Sequence, residues 1–167
     1  MFPLTLAALA FVPMLVEARR AARNDRRLRD AGASEPDGDV YRLMQFAYPA
    51  CFLGMIGEAW VRGNTPGGLS IAGVTLFTAA KALKYWAIAT LGARWTFRVL
   101  VPPGSSRITS GPYRYLRHPN YLAVVGELAG FALIAQAPLA GVVGVVGFAT
   151  LIWARIRVEE HALRLRT

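Results

Sequence analysis

The chain has 167 residues, of which 54% are hydrophobic and only 17% charged, and its formal net charge is +9. A soluble domain of this length carries about a quarter charged residues, so the composition argues against a soluble domain and favours a single membrane domain. Nearly all of the positive charge is arginine placed just outside apolar blocks, without the interleaved aromatic residues of a nucleic-acid site, so we expect a membrane surface and no nucleic acid as partner.

Five apolar blocks follow one another along the chain, and each has roughly the 17 to 25 residues that cross a hydrocarbon core about 30 Å thick. The first block ends in Arg19-Arg20 rather than in a small-residue cleavage site, so it predicts a membrane helix rather than a signal peptide. Tight turns are predicted at residues 63–68 and at Ala137-Pro138. The sequence therefore predicts an all-α integral membrane domain with five transmembrane helices, at about residues 1–17, 41–61, 69–91, 119–136 and 138–155.

Arginine placement orients the predicted spans. Arginines crowd the first and third connections and the C-terminal tail, whereas the opposite side carries only Arg62. By the positive-inside rule the N-terminus lies outside and the C-terminus lies in the cytoplasm, while four or six spans would put one arginine-rich segment on the wrong side. The expected location is a bacterial cytoplasmic membrane, with the active site facing the cytoplasm.

The connections contain few other signals. The segment at residues 30–39, rich in Gly, Ser, Asp and Pro, is predicted to be a mobile cytoplasmic loop.

The single cysteine, Cys51, lies in an apolar run, and without a Cys/His framework we expect no intramolecular disulfide and no metal.

The polar segment at about residues 92–118 is long for so compact a membrane protein, and it leads into a predicted helix start. Pro119 is tolerated as the first residue of a helix, with His118 just before it. Free backbone N–H groups at such a start form a site for an anion such as a carboxylate. Donors and flat rings lie close by in the sequence: Arg114, Arg117, Tyr113, Tyr115 and Tyr121. An interfacial belt of aromatic residues and arginines is the alternative, with about equal weight.

The tail after the fifth predicted span carries a second group of charges. Arg155 and Glu159 are four residues apart, so they share a helix face where the span leaves the bilayer. Two acids, Glu159 and Glu160, beside an anion-binding helix start would suit a ligand that carries both a carboxylate and an ammonium group. Taken alone, however, the tail favours the simpler interpretation of a solvated amphipathic helix.

Four charged residues fall inside predicted spans, where an ionised side chain is costly and is usually functional or paired: Lys81, Lys84, Glu58 and Glu127. At 1.5 Å per residue, Lys84 and Glu127 each lie about 12 Å from the cytoplasmic end of their spans. We hypothesise that they pair or face one polar cavity near the acceptor, where Glu127 could act as base for a hydroxyl or phenol. A structural ion pair is the favoured alternative. Glu58 is expected to pair with Arg62.

The loop and the tail together resemble the isoprenylcysteine carboxyl methyltransferase family, with its related phospholipid and phenolic-lipid methyltransferases. Two motifs carry the resemblance: Gly111-Pro112-Tyr113 followed by Arg117-His118-Pro119-Asn120-Tyr121, and then Arg155, Glu159-Glu160 and Leu163. The first motif is quite specific, and the second follows it in the right order after one helical hairpin. The resemblance covers roughly residues 92–163, while the first two predicted spans match only in general character.

The resemblance implies an enzyme that transfers a methyl group from S-adenosylmethionine to a lipophilic acceptor. It also implies a cofactor pocket closed by the loop before the fourth span and by the tail. The residues that we expect to bind the cofactor are Ser105, Arg107, Ile108, Gly111, Tyr113, Arg117, His118, Pro119, Asn120, Tyr121, Glu159 and Glu160. The resemblance further implies that Arg155 faces the acceptor. Our candidate catalytic residues are Arg155, Glu127 and His118.

The leading hypothesis is O-methylation of a small lipid-like molecule, either a phenolic lipid or a carboxylate, that enters from the bilayer while the soluble cofactor enters from the cytoplasm. A carboxylate needs no base, whereas a phenol must lose its proton as the new bond forms. The alternatives within enzymes are prenylcysteine carboxyl methylation, then phospholipid N-methylation, then thiol methylation. The alternative from another class is a small non-enzymatic membrane protein, such as a transporter subunit, which would not bind S-adenosylmethionine.

Overall fold

The computed structural model describes residues 2–36, 38–103 and 108–164, with side chains as far as residue 161. These residues form five α-helices: α1 (Phe2–Asp30), α2 (Tyr41–Val61), α3 (Gly68–Leu91), α4 (Pro119–Ala135) and α5 (Pro138–Arg164). Two short 3-10 turns, Gly92–Arg94 and Gly111–Arg114, lie between α3 and α4. The all-α class is confirmed, because 79% of the described residues are helical and their β structure is limited to an isolated bridge between Ser34 and Val101.

Two helices extend beyond the spans predicted from the sequence. α1 continues past residue 17 to Asp30, because this stretch is rich in Ala and Arg and contains neither Gly nor Pro. It ends just before Gly32, whose φ of 79° lies in the left-handed region that stops helices. α5 likewise continues past residue 155 to Arg164, so the predicted tail is the last part of a helix.

The outer surface of the bundle is apolar. By length and composition, two helices are long and apolar enough to cross a membrane, Phe2–Asp30 and Pro138–His161, while α4 is apolar but shorter. The side chains of Leu4, Trp60 and Val143 are 77%, 73% and 73% exposed. Large apolar side chains on the outside suit a lipid environment. The number of transmembrane spans, five, and their orientation stay predictions from the sequence.

α3 and α4 are the most closely packed pair of helices, because two glycines let their backbones meet. A Cβ added to Gly73 would lie 2.6 Å from the backbone nitrogen of Ile134, and one added to Gly130 would lie 2.6 Å from that of Phe77. Small residues at such crossings are typical of helix pairs in membranes. This contact holds α4 in place, and α4 begins at the candidate site.

Glu58 connects α2 with α5 at the end of the bundle opposite the arginine-rich segments. The expected pair with Arg62 is confirmed, with an N···O distance of 3.3 Å. The same carboxylate also accepts hydrogen bonds from the backbone N–H groups of Leu139 and Ala140. It therefore caps the first turn of α5 and ties α2 to the hairpin between α4 and α5.

The segment between α1 and α2, expected to be a mobile loop, is packed against the α3–α4 connection. Ser34 and Val101 exchange two backbone hydrogen bonds of 3.2 and 3.0 Å. Glu35 accepts hydrogen bonds from Arg29 and Arg98 at 2.6 and 2.8 Å. Burial raises the pKa of the Glu35 carboxyl, but the hydrogen bonds and charges of the two arginines outweigh burial and leave that pKa below its ordinary value. That this segment is mobile stays a prediction, while Ser34 and Glu35 are hydrogen-bonded to residues of the α3–α4 connection.

Candidate active site

A cavity of about 670 Å³ lies among the five helices and the connection before α4. Its polar end is formed by the start of α4 and the charged end of α5. Its inner end follows the same two helices toward the middle of the bundle, where Val124, Phe148 and Ile152 line it. The distance along α5 from Glu159 to Phe148 is about 16 Å at 1.5 Å per residue. Glu17 and Lys84 also line the cavity, so its inner end combines apolar side chains with a pair of opposite charges.

The polar end brings together most of the predicted cofactor residues, from both motifs. Those that line it are Ile108, Tyr113, Arg117, His118, Asn120, Tyr121, Glu159 and Glu160. The candidate catalytic residue Arg155 lines the cavity as well. Two of the predicted residues, Ser105 and Arg107, fall outside the described residues.

Two predicted cofactor residues shape the cavity without being among its described lining residues. Gly111 has a φ of 55°, and a Cβ there would lie 2.3 Å from the Thr90 hydroxyl oxygen, so the turn that presents Tyr113 needs a glycine. Pro119 is fully buried as the first residue of α4. Because Pro119 has no N–H and the N–H of Tyr121 donates to the His118 carbonyl, the helix start offers fewer free donors than expected.

A hydrogen-bonded chain crosses the wall of the cavity. The Tyr121 hydroxyl donates to the Glu159 carboxylate at 2.7 Å and accepts from Arg155 Nε at 2.9 Å. Arg155 Nη1 in turn donates to Asp39 Oδ1 at 3.1 Å, and Arg155 Nη2 donates to the Phe97 carbonyl. Asp39 is not among the site residues predicted from the sequence, where its only signal is its place as the last acid before a predicted span.

His118 lies between the two tail acids and the ring of Tyr121. The two rings are stacked at 5.4 Å between centroids, with an interplanar angle of 17°. His118 Nε2 is 3.4 Å from a Glu160 oxygen, and Nδ1 is 3.8 Å from a Glu159 oxygen. The imidazole is therefore within hydrogen-bonding distance of Glu160, whereas Glu159 lies farther from it.

The polar end fits a ligand that carries an ammonium group and amino hydrogens. The side-chain oxygen of Asn120 is buried and has no hydrogen-bond partner among the described residues. Such an unpaired oxygen costs about 1–3 kcal/mol, so it marks a place for a ligand donor. Burial and the charge of Glu159 raise the pKa of the Tyr113 phenol, which stays a neutral donor. With the carboxylates of Glu159 and Glu160 beside them, these residues fit S-adenosylmethionine.

Four charged residues form a cluster at the inner end, of which Glu17, Lys84 and Glu127 are buried and Lys81 is partly exposed. Lys81 Nζ lies 2.9 Å from carboxylate oxygens of both Glu17 and Glu127, and Lys84 Nζ lies 2.6 and 3.3 Å from the same two acids. The expected pairing of Lys84 with Glu127 is confirmed. Glu17, at the end of the first predicted span, was missed. The Tyr48 hydroxyl donates to Glu127 at 2.5 Å, and Tyr48 lines the cavity, whereas Glu127 is not among the described lining residues.

Comparisons with known proteins agree with the two motifs. The model of the isoprenylcysteine carboxyl methyltransferase family matches residues 73–165. YpbQ of Bacillus subtilis (strain 168), described as an uncharacterized protein, is 32% identical over 161 residues, 95% of each chain. An uncharacterized protein of Haemophilus influenzae is 28% identical over 142 residues, 84% of this chain and 83% of that one. The family match runs from α3 into α5 and includes both ends of the hydrogen-bonded pair Tyr121 and Glu159.

Proposed function

Because the chain belongs to the isoprenylcysteine carboxyl methyltransferase family, we propose that it is an integral-membrane, S-adenosylmethionine-dependent methyltransferase that O-methylates a lipophilic acceptor. One observation carries the proposal: a single cavity joins a polar end built from both motifs to an inner end where Val124, Phe148 and Ile152 line it beside the paired charges of Glu17 and Lys84. Its volume of about 670 Å³ is typical of small-molecule sites, which run to about 300–1,000 Å³. We further propose a bacterial cytoplasmic membrane as its location, with the polar end open to the cytoplasm.

The residues of the polar end divide the work of binding. Bound there, S-adenosylmethionine would supply a methyl group carried on a positively charged sulfur. Glu159 and Glu160 would hold its ammonium group, and Asn120 would accept an amino hydrogen. Arg155 and Tyr121 keep Glu159 in position through their hydrogen bonds. Methyl transfer depends mainly on such positioning and on the exclusion of water.

A hydroxyl acceptor must also lose its proton as the oxygen–carbon bond forms. His118, which lines the polar end between two carboxylates, is the first candidate to accept that proton. Glu127 is the second, and it would act through Tyr48, since Tyr48 lines the cavity and its hydroxyl donates to Glu127. Turnover of a saturating phenol by His118→Gln and by Glu127→Gln distinguishes the two candidates. Only the variant that lacks the group which accepts the proton should stop methylating the phenol.

A methyl-transfer assay tests the function itself. We expect the detergent-purified protein to transfer labelled methyl groups from S-adenosylmethionine to long-chain phenols or carboxylates, with S-adenosylhomocysteine as an inhibitor. Phosphatidylethanolamine, a prenylcysteine and a long-chain thiol complete the set of acceptors, and heat-denatured protein is the control. Transfer to only the amine or only the thiol would contradict O-methylation. Folded protein that binds neither cofactor form would support a non-enzymatic role.

The acceptor's route to the cavity is proposed to run between α1 and α2. Ala22 on α1 and Gln45 on α2 both line the cavity and are both exposed, so the cavity opens on that side of the bundle. Ala18 and Ala22 lie one turn apart on the same face of α1, where small side chains leave room for an alkyl chain.

Replacing Ala22 by tryptophan is expected to lower kcat/KM for a long-chain acceptor at least about tenfold, because a bulky ring at the opening hinders the acceptor from reaching the reacting geometry. Affinity for S-adenosylhomocysteine should stay unchanged. Ala8→Trp, at an exposed position of the same helix outside the described cavity lining, is the matched control. Equal losses in both variants, or a loss of cofactor affinity in Ala22→Trp, would argue against this route.

A further inference from the structure

Arg155 is expected to face the acceptor, but its guanidinium is already hydrogen-bonded to other groups of the protein. Its side chain is 5% exposed, although it lines the cavity. Each of its three guanidinium nitrogens donates a hydrogen bond: Nε to the Tyr121 hydroxyl, Nη1 to Asp39 and Nη2 to the Phe97 carbonyl. Nη1 also contacts Met44 Sδ at 4.0 Å, so four of the five N–H groups have partners and too few are left to bind a carboxylate through two hydrogen bonds.

Asp39 is itself held in place, so it does not give way easily to an incoming anion. Its side chain is 4% exposed. Oδ1 accepts the backbone N–H of Tyr41 at 3.0 Å, and Oδ2 accepts that of Val99 at 3.1 Å. These bonds fix the carboxylate between the start of α2 and the α3–α4 connection. Its negative charge therefore stays beside Arg155 when the cavity binds a ligand.

We propose that Asp39 is a specificity-determining residue: by neutralising Arg155 it directs the site to an uncharged hydroxyl acceptor, such as a phenol, and against a carboxylate. The inference rests on the proposed function and names the acceptor class of the same site. A carboxylate near Arg155 would also lie near Asp39, and like charges in a desolvated site repel each other strongly. A neutral hydroxyl meets no such repulsion. Asp39 acts through Arg155, so it is a positioning residue rather than a catalytic one.

A pair of acceptors that differ only in the reacting group tests the proposal. We would compare a 3-alkylphenol with the 3-alkylbenzoate of equal chain length, in the wild type and in Asp39→Asn. The wild type should prefer the phenol. Asp39→Asn keeps the size and an oxygen acceptor but removes the charge, so the ratio of benzoate to phenol kcat/KM should rise at least about tenfold. Asp39→Glu, which keeps the charge, should keep the preference for the phenol.

Glu35→Gln is the matched control, because Glu35 belongs to the same segment and is also paired with arginines. Its acceptor ratio should equal that of the wild type. A wild type that prefers the benzoate overturns the proposal, and so does an Asp39→Asn variant that slows both acceptors equally. An equal rise in ratio for Glu35→Gln overturns it too, because the effect would then belong to the segment as a whole.

Acceptor binding without turnover separates this inference from the proposed function. Calorimetry of the two acceptors in the presence of S-adenosylhomocysteine should show tighter binding of the phenol by the wild type and a shift toward the benzoate in Asp39→Asn. If Asp39→Asn does not fold, Arg155→Gln leaves Asp39 without its cation and should discriminate against the benzoate more strongly than the wild type does. Phenol and benzoate bound equally by the wild type overturn the inference. Failure of the proposed function appears differently, as folded wild type that does not bind S-adenosylhomocysteine.

Discussion

Replacing Glu159 by glutamine is expected to weaken binding of S-adenosylhomocysteine roughly 10- to 100-fold. The carboxylate accepts the Tyr121 hydroxyl at 2.7 Å and lies 3.8 Å from His118, in the centre of the polar end. A hydrogen bond to a charged group contributes about 1.5–3 kcal/mol, and each 1.4 kcal/mol changes affinity about tenfold. The amide keeps the shape of the side chain but loses the charge that attracts the ligand's ammonium group.

Calorimetry of the detergent-purified protein measures this effect directly. Arg157→Gln is the matched control, since Arg157 is exposed two residues away and its guanidinium lies 4.6 Å from the centroid of the Trp153 ring. It should bind like the wild type. If Glu159→Gln binds S-adenosylhomocysteine as tightly as the wild type does, Glu159 does not belong to the cofactor site. If the folded wild type itself does not bind S-adenosylhomocysteine, the helical fold stands but the proposed methyltransferase activity does not.

Replacing Lys84 by methionine is expected to lower the free energy of unfolding by about 3–5 kcal/mol. Lys84 is 2% exposed and neutralises two acids that are equally buried, Glu17 and Glu127. Without it, two carboxylates share Lys81, so one negative charge is left without compensation although both carboxylates are buried. The methionine fills nearly the same volume, so the loss is electrostatic rather than a cavity effect.

Thermal unfolding in detergent measures this loss, and two further variants test its cause. Arg62→Met breaks a pair whose arginine side chain is 50% exposed, and it should cost less than about 1 kcal/mol. The double variant Lys84→Met/Glu127→Gln leaves Glu17 paired with Lys81 and should recover part of the stability. A single Lys84→Met variant as stable as the wild type, or a double variant less stable than the single one, would be incompatible with a charge-neutral cluster.

Most of the helical layout follows from local features of the sequence. Apolar blocks separated by Gly- and Pro-rich turns predict the five helices, and Pro119 marks the start of α4. α1 and α5 end later in the chain than the predicted spans do. Charged side chains mark the end of a membrane span, but Ala, Arg and Leu continue a helix well beyond it. A helix is governed by short-range interactions, and these are present in the sequence itself.

Some features of the candidate site were also predictable from the sequence, and others were not. Both motifs lie on short stretches of chain, and most of their described residues line one cavity. The depth of Lys84 and Glu127 was also predictable, since the rise per residue is constant along a helix. Their additional partners, Glu17 and Lys81, depend on which faces of α1, α3 and α4 meet, and the sequence does not state that.

By itself, then, the sequence determined the helices, the order of the motifs and the chemical groups available to a cofactor. The tertiary structure alone decided which charge neutralises which. Asp39 and Arg155 are far apart in the chain, and they meet because close glycine contacts hold α3 on α4 while the 95–101 segment packs under the start of α2. Electrostatic partnership depends on distance in space and on burial, neither of which is a local property of the chain. The charge that an acceptor meets at Arg155 is therefore a consequence of packing.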